Sequence, residues 1–241
     1  MQKTALRAAA AGAIIGSLAY IALTLVHGFL PGTAHELAGH VLGRDWRAIH
    51  LGTILALLLW VFAFTAVGSL ITTGPGALLA RFARPLLGIA FTVFAIDFAL
   101  DGFGFAQLAE ASAHGGHADR AQAMAGLDLL FRAVVGSTTM LVQVLFGLSF
   151  AVWAVVLWRA RRAPAWLCLA GLVPAAGWFL GGCLMFLRVP GVGFPVVAPL
   201  AGLVQLWVLG LGIAWWRQSL GSVTGRQSTG VDRTIALEVS P

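Results

Sequence analysis

Six long apolar runs, separated by short polar segments, dominate the pattern of hydrophobic and polar positions along the chain. Each run approaches or exceeds the roughly 20 residues that a helix needs to cross a bilayer. The weak alternation that is typical of a membrane β-strand is missing from them, so helices are the expected form. The pattern predicts an all-α integral membrane protein, a bundle of six transmembrane helices over Ala8–Val26, Leu51–Ile71, Leu86–Ala106, Ala133–Trp158, Ala165–Leu187 and Phe194–Trp216.

The two ends of the chain differ from this pattern. After Arg217 the sequence loses its long apolar runs and is rich in Ser, Thr and Gly. We therefore predict a transmembrane domain over 1–217 and a flexible cytoplasmic tail over 218–241. Lys3 and Arg7 precede the first run as they would in a secretory signal, but the run is longer than the roughly 7–15 apolar residues of such signals. An uncleaved first helix is the expectation.

Basic residues are divided unequally between the two sets of polar segments that alternate along the chain. If the N-terminus is cytoplasmic, five of the 15 basic residues fall outside, at Arg44, Arg47, Arg120, Arg132 and Arg188. The other ten fall inside, at Lys3, Arg7, Arg81, Arg84, Arg159, Arg161, Arg162, Arg217, Arg226 and Arg233. The positive-inside rule then favours an orientation with both termini in the cytoplasm, N-in and C-in.

Composition supports a membrane protein and excludes one functional class. Hydrophobic residues make up 59% of the chain and charged residues 10%, against roughly 45–50% and about 25% in soluble domains. The net charge of +6 does not indicate nucleic-acid binding, because there is no run rich in lysine or arginine and no soluble domain to carry it. We expect a multi-pass protein of the cell membrane whose partners are the lipid bilayer and a lipophilic small-molecule substrate.

The histidines fall on one side of this predicted topology. Four of the six lie in the stretch from His27 to His50, HGFLPGTAHELAGHVLGRDWRAIH. The other two, His114 and His117, lie in the second outer segment, so the sequence predicts His-rich extracytoplasmic loops. Imidazoles that share one face of the membrane are the strongest functional indication in the chain.

The segment HELAGH differs from the zincin motif HExxH. In that motif the two histidines stand at i and i+4 on one helical face, whereas His35 and His40 are five residues apart and would point about 140° apart on a helix. Glu36 and His40 do share a face and together could hold one metal ion. Glu36 is also a candidate catalytic carboxylate.

Two further sets of side chains are candidate ligands. Glu110, His114 and His117 have helical spacing and could present three metal ligands, although Gly115-Gly116 argues against a continuous helix there. His40 or His50 could complete a site with nitrogen and oxygen ligands for zinc, iron or copper. His27 and His50 lie at similar depth on either side of the first outer segment and could together ligate a haem or a metal. All of these histidines have the alternative of simple solvation or of hydrogen bonds to backbone and water.

Asp97 and Asp101 are the least expected residues for a purely structural protein. They stand at i and i+4 within the apolar run FAIDFALDGFGF. Carboxylates inside a membrane indicate a functional site or a buried partner, and a close pair suits one proton donor and one base or ligand. The structural alternative is that one of them pairs with Arg132 or Arg188. Ser137, Thr138, Thr139, Gln143 and Gln205 are expected to hydrogen-bond between helices or to line a polar pocket.

The sequence predicts a site without naming a reaction, since no phosphate loop, dinucleotide fingerprint, nucleophile elbow or haem-attachment motif occurs in it. The leading hypothesis is a metal-dependent membrane enzyme that acts on a lipid, an isoprenoid or a small redox-active molecule. One alternative is a small transporter subunit, or a metal or pH sensor, that uses the histidines and the intramembrane aspartates. Another is a metal-free cyclase or isomerase in which Asp97 and Asp101 are the acid pair.

Overall fold

A computed structural model describes residues 2–221, and this part of the chain is helical without β-strands. Its helices are α1 (Gln2–His27), α2 (Ala34–Leu42), α3 (Trp46–Ser69), α4 (Pro75–Ala99), α5 (Ala106–His114), α6 (His117–Ala133), α7 (Thr139–Arg159), α8 (Ala165–Phe186) and α9 (Phe194–Gly221). Two π-helical segments join neighbouring helices without a break: π1 (Leu100–Phe105) between α4 and α5, and π2 (Val134–Thr138) between α6 and α7.

Within residues 2–221, six helical spans are long and apolar enough to cross a membrane, which confirms the predicted count and supports a multi-pass membrane protein. The third and fourth spans are longer than the sequence predicted. They run over Pro75–His114 and His117–Arg159 and include the two π segments. Of the predicted tail, the first residues still belong to α9 and the remainder, 222–241, lies outside the described part of the chain.

The spanning helices form a ring in chain order. Each helix packs against the next one in the order α1, α3, α4, α7, α8 and α9, and α9 packs against α1 to close the ring. Glycines allow close approach at two of these contacts: a Cβ on Gly16 would lie 2.7 Å from the Ala56 carbonyl oxygen, and one on Gly147 would lie 2.3 Å from the Phe179 nitrogen. The core inside the ring is rich in aromatic side chains that centre on Phe64 and Phe150. The ring leaves room for a chamber at one end.

A cap of three short helices, α2, α5 and α6, covers that end of the ring. The sequence assigned these segments to loops, but they are helical because they bury their own apolar core. Leu37, Phe105 and Leu127 are fully buried in it, together with Trp46 from the start of α3. The helix is interrupted at Gly115-Gly116 between α5 and α6, as the two glycines indicated. All six histidines lie in the cap or at the helix ends beneath it.

Candidate functional site

The site begins where the first turns of α3 meet π1. His50 and Asp101 are both buried, with exposures of 1% and 6%. His50 Nδ1 donates a hydrogen bond to the Trp46 carbonyl oxygen at 2.8 Å, and His50 Nε2 lies 3.2 Å from Asp101 Oδ2. Gly102 makes this approach possible, because a Cβ there would lie 2.4 Å from the His50 Cβ.

Trp46 fixes the Asp101 carboxyl group from the cap side. Its Nε1 donates to the backbone carbonyl oxygen of Asp101 and to Oδ1, both at 3.1 Å. The indole ring also packs on His50, with a centroid distance of 4.5 Å. One oxygen of Asp101 is therefore held by Trp46, and the other faces His50.

His27 brings a second imidazole from the last turn of α1. Its Nδ1 donates to the Gly28 carbonyl oxygen at 2.7 Å, where Gly28 has a φ of +69°. The His27 ring lies 5.0 Å from the His50 ring and 4.6 Å from the Trp46 ring, between centroids. The last turn of α1 and the first turns of α3 therefore meet at these three rings.

Both imidazoles present Nε2 without a hydrogen-bond partner among the residues that the structure describes. A carbonyl oxygen can only accept, so the Nδ1 atoms of His27 and His50 carry the hydrogen, and in the neutral ring each Nε2 carries a lone pair. Both Nε2 atoms are buried, and although His50 Nε2 is near Asp101, the geometry does not make a hydrogen bond. Unpartnered buried polar atoms are rare, and an unseen ion or water is a usual explanation.

His27, His50 and Asp101 form a set of metal-ligand atoms. One nitrogen from each histidine and one Asp101 oxygen all lie within 4.8 Å of one another. Metal-binding histidines usually donate their second ring nitrogen to a carbonyl or carboxylate, as both do here. Two histidines and a carboxylate suit zinc with an open position or non-haem Fe(II). A haem would need space for its macrocycle between the two imidazoles, which instead contact each other and Trp46.

His40 and Arg44 support His27 from α2. His40 Nε2 donates to the His27 carbonyl oxygen at 3.0 Å, and His40 Nδ1 accepts from Arg44 Nη1 at 3.0 Å. Arg44 Nε also donates to the Val26 carbonyl oxygen at 3.2 Å. These bonds satisfy carbonyls at the C-terminal end of α1. His40 has no ring nitrogen left for a metal, so its place here is to position His27.

Asp97 lies one turn before Asp101 and has different partners. Its exposure is 2%, and it accepts hydrogen bonds from the hydroxyl groups of Thr138 and Thr139 at the junction of π2 and α7. Neither aspartate pairs with an arginine of the described part of the chain: Arg132 instead bonds Asp128 at 2.9 Å, and no described residue forms an ion pair with Asp97. Two buried carboxylates without an arginine or lysine favour a bound cation or a shared proton.

A chamber of about 620 Å³ opens beside these groups. His27, Asp97 and Asp101 lie on its wall at the cap end, and the rest of the wall is mostly apolar and rich in aromatic side chains. Loop 28–31 and the start of α9 also line it, and the Phe29 side chain of that loop is 87% exposed. The volume is that of a site for a small organic molecule.

The other predicted ligands lie outside this group. His35 and Glu36 are on the exposed side of α2, where the Thr33 hydroxyl at the N-cap donates to the Glu36 carboxylate at 3.0 Å and accepts from the Glu36 backbone N–H. Both oxygens of Glu110 accept from Arg47, at 2.8 and 2.9 Å. His114 and His117 are exposed at the α5–α6 turn, with His114 Nδ1 donating to the Glu110 carbonyl oxygen. None of these five is in the group of converging ligand atoms.

Sequence reasoning did not assign Trp46 or Gly102 to the site. Tryptophans are also common at membrane interfaces, so Trp46 gave no specific signal, and neither did Gly102. The i,i+4 spacing of Asp97 and Asp101 also did not indicate that the segment around Asp101 is the π-helical segment π1. Comparison with protein-family models, curated proteins and solved structures finds no match to this chain.

Proposed function

We propose that this protein is a metal-dependent membrane enzyme that acts on a lipophilic substrate in the chamber beneath the cap. His27, His50 and Asp101 would hold the ion, and the ion would act as a Lewis acid or activate a water. The observation that supports this most directly is that two buried Nε2 lone pairs converge on one carboxylate.

Asp97 would be the proton-transfer group of this enzyme. It borders the chamber together with the proposed ligands, and two threonine hydroxyls orient its carboxyl group. A carboxylate in an apolar, closed site is suited to general acid or base catalysis. In this proposal Asp97 would transfer protons and Asp101 would hold the ion.

The substrate would enter from the bilayer. The wall of the chamber is mostly apolar, and the exposed Phe29 marks the loop at its edge. A molecule dissolved in the membrane could reach the polar end without crossing water. Its reactive group would then lie at the end of the chamber that holds His27, Asp97 and Asp101.

Metal analysis of the purified protein, prepared without chelators, tests the proposal. We expect about one equivalent of zinc or iron in the wild type and a loss of most of it in His50→Ala and Asp101→Asn. His35→Ala should keep the metal, because His35 is exposed and apart from the group. Far-UV circular dichroism and gel filtration check that each variant is folded.

Three results would contradict the proposal. A wild-type protein with less than about 0.2 equivalents of any transition metal has no such site. Metal that is lost in His35→Ala but kept in His50→Ala would place the site on the surface of the cap. Ion flux into liposomes that disappears in Asp97→Asn would favour the transporter class over an enzyme.

A further inference from the structure

Three aromatic rings form one wall of the chamber with their planes nearly parallel. Phe146 and Phe150 of α7 lie at an interplanar angle of 11°, and Trp178 of α8 lies within 19° of both. Their centroids are 5.7 to 6.1 Å apart. All three rings line the chamber. The three rings already stack on one another, and a flat guest extends this set by the offset-stacked packing that planar groups prefer.

Gln143 adds a polar group to this wall. Trp178 Nε1 donates to Gln143 Oε1 at 2.6 Å, which fixes the orientation of the amide and occupies one lone pair of its oxygen. The NH2 group of the amide can then donate to a ligand in the chamber. Gln143 follows Thr139, a partner of Asp97, by four residues of α7. This places its donors about 6 Å along the helix from the polar end of the chamber.

We infer that the chamber binds a ring lipid: a flat, unsaturated ring that bears acceptor oxygens, as in a quinone, with an apolar tail. The ring lies against Phe146, Phe150 and Trp178, and one ring oxygen accepts a hydrogen bond from Gln143. The opposite edge faces the polar end of the chamber. This orientation rests on the proposed function, whereas the stacking and the bond to Gln143 do not.

A saturated acyl chain fits these groups less well. It would fill the volume but would cover the half-buried Gln143 side chain without accepting a hydrogen bond from it, and a donor that becomes buried without a partner is costly. It would also present no flat face to the three rings. The ring lipid meets both features of the wall at once, because its ring plane and its oxygens are held in one rigid unit.

Binding of two probes to the detergent-purified full-length protein tests the inference. The probes are a decyl-substituted benzoquinone and dodecanol, measured by equilibrium dialysis. We expect the quinone to bind about tenfold more tightly than the alcohol. Gln143→Leu should weaken quinone binding by about tenfold and leave dodecanol binding unchanged. Gln107→Leu, the same change at an exposed position of α5, should affect neither.

Equal affinity of the wild type for the two probes would overturn the inference, and this comparison needs no variant. Unchanged quinone binding in Gln143→Leu would also overturn it. The metal content of the same samples separates this inference from the proposed function. Selective quinone binding by metal-free protein would support the ring-lipid site and contradict the metal site, and a metal-loaded protein without quinone selectivity would do the reverse.

Discussion

The hydrogen bonds of the Nδ1 atoms determine what the histidines of this protein can bind. His27 and His50 donate Nδ1–H to backbone carbonyls and keep Nε2 for a ligand. His40 uses both nitrogens, one toward the His27 carbonyl and one toward Arg44. Residues of one type, close together, therefore have different chemistry, and the difference arises from their neighbours.

Gly102→Ala should displace His50. The new Cβ would lie 2.4 Å from the His50 Cβ, too close for both to keep their positions. We expect metal affinity to fall by about tenfold or more, as for other changes that misplace a ligand. Isothermal titration with zinc measures this. Gly88→Ala is the matched control on the same span, because its Cβ would meet nothing within 4 Å. Equal affinities for the two variants would contradict the packing argument.

His40→Ala should weaken metal binding without removing a ligand. It frees the His27 carbonyl and the contact to Arg44, so His27 is less well positioned. Loss of such an outer partner typically costs about 10–100-fold in affinity. We expect the stoichiometry at saturating zinc to stay as in the wild type. If it falls as far as in Asp101→Asn, His40 is itself a ligand. His35→Ala on the same helix is the comparison.

At the scale of elements, two π segments shape the site. Asp101 lies in π1, and Thr138, which bonds Asp97, ends π2. A π segment shifts the phase of a helix, since each residue of an α-helix turns by about 100°. An i,i+4 spacing suggested that Asp97 and Asp101 share a face. The structure keeps both on the chamber wall but gives them separate partners from different helices.

Deletion of Leu100 should remove π1 and with it the metal site. The span would return to a regular α-helix, and Asp101 would take the position of Leu100, which is 40% exposed on the outside of the bundle. We expect helix content by circular dichroism to be kept and metal binding to fall by at least about tenfold. Leu100→Ala, which keeps the chain length, is the control. A deletion variant that binds metal normally would show that π1 has no part in the site.

We expect the cap to unfold locally without the ring, because it has a hydrophobic core of its own. Leu127→Ala removes a fully buried side chain from its core and should cost about 2–5 kcal/mol of local stability. Leu129→Ala, two residues away and 71% exposed, should cost less than about 0.5 kcal/mol. Hydrogen exchange at α2 and α6 amides measures the difference. If both variants exchange alike, the cap has no independent core.

At the scale of the whole molecule, the ring of six spans and the cap place the proposed site at one end of the membrane domain. The arrangement brings together the last turn of α1, the first turns of α3 and the π1 segment. It also separates the site from the opposite end, where α3 meets α4 and α7 meets α8 through short turns. Which end faces the cytoplasm stays a prediction from the basic residues.

Labelling of single cysteines tests that orientation. In a chain with Cys168 and Cys183 replaced by alanine, we expect Gly32→Cys and Ala118→Cys to react with an impermeant maleimide in intact cells. Thr72→Cys, exposed at the other end, should react only after permeabilisation. The reverse pattern would invert the topology and leave the site intact. Labels at 32 and 118 on opposite sides of the membrane would contradict the ring itself.

The sequence alone determined the helical class, the six spans and the gathering of the histidines at one end. These are properties of apolar run length and of the order of segments, and both can be counted along the chain. Only the tertiary structure decided that His27 and His50 meet Asp101, while His35, His114 and His117 stay at the surface. Which histidines meet Asp101 depends on the phase of the helix, which π1 changes within a few residues. It also depends on the close approach at Gly102 and on the backbone carbonyl to which each Nδ1 donates.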